Sequence, residues 1–311
     1  MYNGENGLKR RCFMKVVISG GTGLVGKRLQ SYFKKEQAEI IILTTADEEK
    51  VEDGIRFVPW MNGEIPDGLE NADAFINLAG VSLNAGRWTD EQKEKILSSR
   101  LDTTNEIIRI IKSLSNKPPV LVNASAVGIY TPSIVKKYDE DSETKVNDFL
   151  SEVVSKWENA VSQANDLGVR TCFMRFGVII EKDNGAFPMM LNPYKYYVGG
   201  TIGSGQQWVS WVHAEDVARA IAFAIDNDSL HGPVNTVAPQ PLRMAHVGQV
   251  IADVFNRPNY LPVPSFALKL ALGEKSILVL EGQYVEARRL LSSGFTFKFP
   301  TLKEALIDLY K

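Results

Sequence analysis

The chain has 311 residues, 44% of them apolar and 23% charged, which are the proportions of a globular protein long enough to bury a substantial core. A formal net charge of -2 excludes nucleic-acid binding driven by phosphate neutralisation, and no stretch approaches the roughly 20 apolar residues of a membrane span. Two cysteines and three histidines without metal-type spacing argue against a protein metal site, and Cys172, set in an apolar run, reads as a buried thiol.

Residues 1–13, with Lys9-Arg10-Arg11, read as a tail outside the fold of a cytoplasmic protein, and Met14 opens the domain. Val16-Val17-Ile18-Ser19 is a short β-branched strand that runs into Gly20-Gly21-Thr22-Gly23-Leu24-Val25-Gly26 and then a helical stretch from Lys27. This is the layout of a dinucleotide-binding turn. Gly20 lets the chain reverse, Gly23 leaves room for a pyrophosphate, and Gly26 lets the helix pack closely while its first amides face the phosphates. Strand and helix patterns then alternate. Residues 39–43 and 74–78 read as strands, 88–114 as a helix, 120–122 as a strand, 149–167 as a helix and 169–176 as a buried strand. Further on, 209–212 and 234–237 read as short strands around a helix at 215–225.

Such alternation predicts an α/β fold: a doubly wound parallel (Rossmann) sheet with ligands at the carboxyl edge and a smaller C-terminal substrate lobe. Residues 14–180 form the expected dinucleotide-binding domain, completed by about 208–238, and 181–207 with 239–311 form the lobe.

The stretches GGTGLVG (20–26), NLAG (77–80), NASAVG (123–128), KWE (156–158), RFGVI (175–179), GGTIGSGQQWVSWVH (199–213) and GFTFKFPTLKEAL (294–306), among others, resemble the extended short-chain dehydrogenase/reductase superfamily. They look closest to its NAD-dependent epimerase/dehydratase-like branch with a distinctive C-terminal helical module. The resemblance implies that Gly20, Gly23, Leu24, Val25 and Gly26 hold the pyrophosphate and that Leu78, Ala79 and Gly80 line the adenosine side. It also sets Ser125 beside the nicotinamide and Val178 near the cofactor. Arg100 is either a cation for a cofactor phosphate or a solvated helix arginine. The second strand ends in Thr44 and Thr45 with no carboxylate before Asp47, so a 2′-phosphate is tolerated, and Lys27, Arg28 or Arg100 would offset its charge. NADP(H) is favoured. An arginine that relatives carry at Thr45 is missing, which keeps NAD(H) open.

The superfamily's proton chemistry uses a tyrosine and a lysine four residues apart on one helix. No tyrosine here has a lysine four residues later. Taking Glu158 as the register mark, the two positions fall at Leu150 and Val154, both apolar. The remaining catalytic candidates are Ser125, as a hydrogen-bond donor, and Tyr130, as an acid/base or as packing over the cofactor. On the substrate side stand Phe187, Met190, Gln206, Trp208, Trp211 and His213, which suit a polar, partly planar small molecule or else an interlobe seam. His213 is either a proton-transfer group or a hydrogen-bonded structural residue. Asp216 reads as support for a helix N-terminus, and the acidic run 139–143 as a solvated loop. The expected function is an NAD(P)-binding epimerase or reductase-like enzyme, monomeric or oligomeric, acting without the Tyr/Lys couple. A non-catalytic NADP(H) sensor is the alternative.

Overall fold

The computed structural model describes residues 14–311, so the expected tail at 1–13 lies outside the described residues. Eight strands form one sheet in the order Gly232–Thr236, Arg170–Phe176, Val120–Ala126, Ala74–Asn77, Lys15–Ser19, Glu39–Thr44, Ile55–Pro59, Lys50–Glu52. Neighbours are parallel except the last pair. The central strands are apolar on both faces because helices cover both. Val16, Ile18, Ile40 and Ile42 turn toward Leu24–Lys35 and Ala214–Asp226. The alternate residues Val17, Ile41, Phe75 and Leu121 turn toward Asp90–Ser113 and Phe149–Ser162. This is the doubly wound sheet the sequence implies.

Two departures have local causes. The hairpin at Lys50–Glu52 and Ile55–Pro59 turns on Asp53-Gly54, both at positive φ (51° and 76°), a backbone that hairpin turns favour. Its outer strand is exposed throughout, so it carries no apolar alternation to read. The single strand expected at 209–212 divides at Ser210. Trp208–Val209 pairs with Leu242–Arg243, whereas Trp211–His213 pairs with Val178–Ile180.

A third apolar cluster joins Ile180, Phe187, Leu191, Tyr194 and Trp211 to Val247, Ile251 and Leu306. The C-terminal segment is fastened to the sheet by carboxylates. Asp216 is fully buried and accepts from the amides of Lys298 (2.8 Å) and Phe299 (2.9 Å) and from Arg219 (2.6 Å). It lies in the first turn of the helix it was expected to support and also anchors the chain end, while the cap itself is His213, whose Nδ1 accepts from the Glu215 amide at 3.1 Å. The acidic run is not simply solvated either. Asp139 and Asp141 pair with Arg288 and Arg289, and buried Glu140 accepts from the Asn235 amide at 3.0 Å. Replacing Asp216 with alanine leaves two amides and a guanidinium without their acceptor, so Asp216→Ala is expected to cost about 2–5 kcal/mol, read as a lowered urea midpoint with an unchanged slope.

Candidate cofactor and active site

The carboxyl ends of the central strands gather the expected cofactor residues. Gly20 has φ +69°, and a Cβ there would stand 2.6 Å from the Leu78 carbonyl carbon; a Cβ on Gly26 would overlap the Gly21 backbone. Only glycine permits this turn to lie against the Leu78–Ala79 backbone. The Lys27 amide bonds the Gly23 carbonyl at 2.9 Å, and no side chain caps the helix. The amides of Leu24, Val25 and Gly26 thus lack intrahelical partners and form the positive end of the helix dipole. Beneath the turn, Ser19 donates to Asn77 (2.6 Å), and Asn77 donates to Asn123 (2.7 Å) and Thr104 (3.1 Å), all buried. Asn77 also accepts from the Ala79 amide at 3.3 Å, which fixes the start of the Leu78–Gly80 loop.

Arg100 lies against that loop, its Cγ 3.1 Å from where a Gly80 Cβ would be. It is a half-buried residue stacked on Trp157 at 5.1 Å, not a solvated one. Its Nη1 donates to the carbonyls of Ile96 (2.8 Å) and Val81 (3.1 Å). Among the described residues, Arg28, Arg56, Arg109 and Arg175 each turn Nε and Nη2 side-on to a carboxylate; on Arg100 that fork is unpaired. Burial with no anion nearby lowers its pKa to about 10. Arg28, by contrast, is committed to Glu181, which removes it as a counter-charge for a 2′-phosphate. Thr44 is half-buried and Thr45 exposed at the end of their strand, and Val178 is half-buried in Val178–Ile180.

Ser125, next to last in its strand, donates to Glu158 Oε1 at 2.6 Å. Glu158 in turn receives Nε (2.8 Å) and Nη2 (2.7 Å) of Arg175, which is only 5% exposed. Burial opposes the Arg175 charge, but the hydrogen bonds and charge of Glu158 outweigh it and leave the pKa raised. The expectation that Ser125 is a donor is therefore corrected: its proton is already given. Tyr130 is corrected as well. It is 0% exposed, stacks on Tyr138, receives Arg175 Nη1 at 2.8 Å and faces Asn235 Oδ1 at 2.9 Å. Burial raises its pKa, so it is a structural phenol, withdrawn as an acid/base. Glu158 served in the sequence only as a register mark, and Arg175 and Asn235 went unassigned. An arginine inside the buried run 169–176 was the available signal, since a buried charge requires a partner. Leu150 packs beside Gly128, and Val154 is buried, so neither position holds a proton-transfer group.

The substrate-side candidates separate. Phe187 and Trp211 are 0% exposed, Trp211 donating to the Gln240 carbonyl, so these two are interior, whereas Met190 is half-buried against the third apolar cluster. Gln206 is exposed and Trp208 half-buried, with Arg243 stacked at 3.7 Å on the indole. His213 is 0% exposed and occupied as the helix cap, which decides for its structural reading. His213, Glu215 and Asp308 bring one potential ligand atom each within 4.8 Å of one another. A neutral ring accepting at Nδ1 carries its hydrogen on Nε2, however, and has no lone pair there for a cation. Glu215 is paired with Lys298 besides.

The model of the NAD dependent epimerase/dehydratase family matches residues 16–237, and that of a domain of unknown function (DUF1731) matches 263–309. The chain belongs to the NAD-dependent epimerase/dehydratase family. As a member it has a nicotinamide dinucleotide as its cofactor class. It is 42% identical over 298 residues to the epimerase family protein YfhF of Bacillus subtilis, covering 95% of this chain and 98% of that one. The structure of the human epimerase family protein SDR39U1 with NADPH superposes with a TM-score of 0.87 at 33% identity, covering 95% of this chain and 99% of that one. A nucleoside-diphosphate sugar epimerase from Corynebacterium glutamicum gives 0.78 at 28% identity, over 97% of this chain and 59% of that one. Among the described residues no helix is long and apolar enough to cross a membrane.

Burial lowers the His213 pKa, against the opposing pull of Asp308, Asp216 and Glu215. The neutral ring's contribution is thus present above the ordinary histidine value and lost as pH falls through the lowered one. Urea unfolding between about pH 8 and pH 5 is expected to show a steeper loss on acidification for the unmodified chain than for His213→Asn, whose amide oxygen caps without titrating.

Proposed function

We propose that this family member binds NADP(H) at the Gly20–Gly26 turn and acts as an epimerase or oxidoreductase on a small polar metabolite, without a Tyr/Lys couple. The observation that carries the reading is the uncapped helix opening at Leu24–Gly26 beside the unpaired fork of Arg100: free amides and an unneutralised cation at one sheet edge suit a diphosphate. The SDR39U1 structure with NADPH supports the same cofactor class. Val178 and the Leu78–Gly80 loop flank that edge, and Ser125 is the group offered to the reacting part of the ligand. Gln206, Trp208 and Met190 are the substrate-side residues that keep open surface. A second reading, a non-catalytic NADP(H) sensor, is favoured by Leu150 and Val154 standing where the proton couple would be. Turnover of NADPH with a panel of carbonyls and nucleotide sugars separates the two.

Thr44 and Thr45 present no carboxylate to a 2′-phosphate, which favours NADP(H) over NAD(H). Arg100 follows the Ala74–Asn77 strand and Thr45 the Glu39–Thr44 strand, on opposite sides of Lys15–Ser19, so Arg100 serves the diphosphate common to both cofactors. In calorimetric titrations Arg100→Met is expected to weaken NADPH and NADH alike, by roughly ten- to a hundredfold, the value of charge-assisted hydrogen bonds. Thr45→Glu is expected to weaken NADPH selectively. Binding of neither dinucleotide to the folded, unmodified chain would sink the proposal.

A further inference from the structure

The Ser265–Leu272 helix has no buried residue. Its eight residues are too few to hold a helix in water by themselves, and Ala267, Leu268 and Leu272 give it only a half-buried side against the rest of the fold. One turn apart on the other side, Phe266 is 73% and Leu270 83% exposed. The apolar surface continues from there. The amides of Tyr260 and Leu261 both bond the Gly199 carbonyl at 3.1 Å, which lays these exposed residues along exposed Tyr196 and Tyr197. Contiguous exposed apolar surface of this kind marks an interaction site.

Charge decides what covers it. Segments 184–214 and 254–273, which build this face, contain no acidic residue but carry Lys195, Arg257 and Lys269. Among the described residues none of these three pairs with a carboxylate. Arg257 lies over the Tyr197 ring at 4.3 Å, and exposed Lys269 shares a helix face with Phe266 and Leu270. A second copy meeting this face across a twofold axis would set cation against cation over acid-free surface. An anionic lipid surface answers all three charges. Tyrosine, phenylalanine and leucine set among basic residues are also the composition of elements that lie in the membrane–water boundary, with rings at headgroup depth.

We propose that the Ser265–Leu272 helix, with Tyr196, Tyr197, Tyr260 and Leu261, docks the protein on an anionic phospholipid surface. Phe266 and Leu270 enter the headgroup layer, and Lys195, Arg257 and Lys269 meet lipid phosphates. The contact is peripheral and independent of the cofactor reading.

Vesicle co-sedimentation tests it. The full chain is mixed with vesicles of phosphatidylglycerol and phosphatidylcholine in equal parts, or of phosphatidylcholine alone, at about 0.1 M salt. The unmodified chain is expected to bind the anionic vesicles about tenfold or more tightly than the neutral ones, and to leave them at about 1 M salt. Phe266→Ser/Leu270→Ser is expected to weaken anionic binding by about tenfold, and Lys269→Gln by about fivefold. All three side chains are exposed, so the variants keep the fold, which circular dichroism checks. Val51→Ser, at an equally exposed apolar position on the Lys50–Glu52 strand, is expected to bind as the unmodified chain does. Losses of roughly threefold or more in both face variants, with Val51→Ser unaffected, support the proposal. No preference for anionic vesicles, smaller losses, or equal losses in Val51→Ser overturn it. Binding that survives the substitutions, as binding through Lys9-Arg10-Arg11 would, overturns it too. Oligomers that Phe266→Ser/Leu270→Ser dissolves, seen by light scattering without vesicle binding, assign the face to a second copy instead.

Discussion

Arg175 is a permanent cation, 5% exposed, near the carboxyl end of the strand next to the sheet edge, and much of the molecule is arranged to make that tolerable. A guanidinium taken out of water costs several kcal/mol unless an anion and the remaining donors are matched. Glu158 meets the side-on edge and Tyr130 takes the remaining nitrogen. Tyr130 in turn faces Asn235 on the edge strand, and the Asn235 amide side chain donates to the Glu286 carbonyl. One charge thus ties the Phe149–Ser162 helix, three strands and the C-terminal segment at Glu286 into a single hydrogen-bonded unit. Ser125, itself buried, is the last member of that chain, so the direction of its hydrogen bond follows from the Arg175–Glu158 pair.

A second polar system on the other side of the Val120–Ala126 strand acts on the cofactor loop. Asn77 and Asn123 are fully buried, and an unsatisfied amide there would cost about 1–3 kcal/mol, so their partners are obligatory. Thr104 closes the set by accepting from both Asn77 and the Trp157 indole. Trp157 also forms the platform under Arg100. The residues that aim the Leu78–Gly80 loop and the residue that supports the free guanidinium therefore share a hydrogen-bonded neighbour. The two systems meet on one helix, where Trp157 and Glu158 are adjacent. An apolar core could pack these helices equally well, but it would not specify the angle at which a serine and an arginine face the same edge.

The sheet was legible because buried parallel strands are continuous apolar runs and the glycine turn has a steric logic that only one residue type satisfies. The hairpin at Asp53-Gly54 was not legible from apolar periodicity, since its outer strand buries nothing, although the dipeptide itself was a turn signal. The steric need for glycine at positions 20 and 26 was readable, because it is a matter of backbone alone. Site residues were misread where side-chain direction mattered. Trp211 and His213 lie at a strand end, as ligand-facing residues do, yet the split at Ser210 moves their strand onto Val178–Ile180 and turns both inward. Ser125 donates to a glutamate 33 residues later, which an arginine 50 residues later holds in place. No local pattern carries that.

The C-terminal segment, whose family model has no assigned function, is bound by the same constraint. Its residues are not an appendage, because they complete hydrogen bonds that the sheet leaves open. Gln283 donates to the Tyr130 carbonyl and accepts from Ser210, at the point where the strand changes partner. Lys275 donates to the carbonyls of Asn84 and Gly86, and Glu274 pairs with Lys93, fastening the loop that follows Gly80. Each contact satisfies a group on a segment that also touches Tyr130, Ser210 or the cofactor loop. A sheet of this kind has one irregular edge where binding groups must stay open to ligands, and backbone there cannot be satisfied by further strands. A segment laid across that edge satisfies this backbone, as Gln283 does for Tyr130 and Lys275 for Asn84 and Gly86.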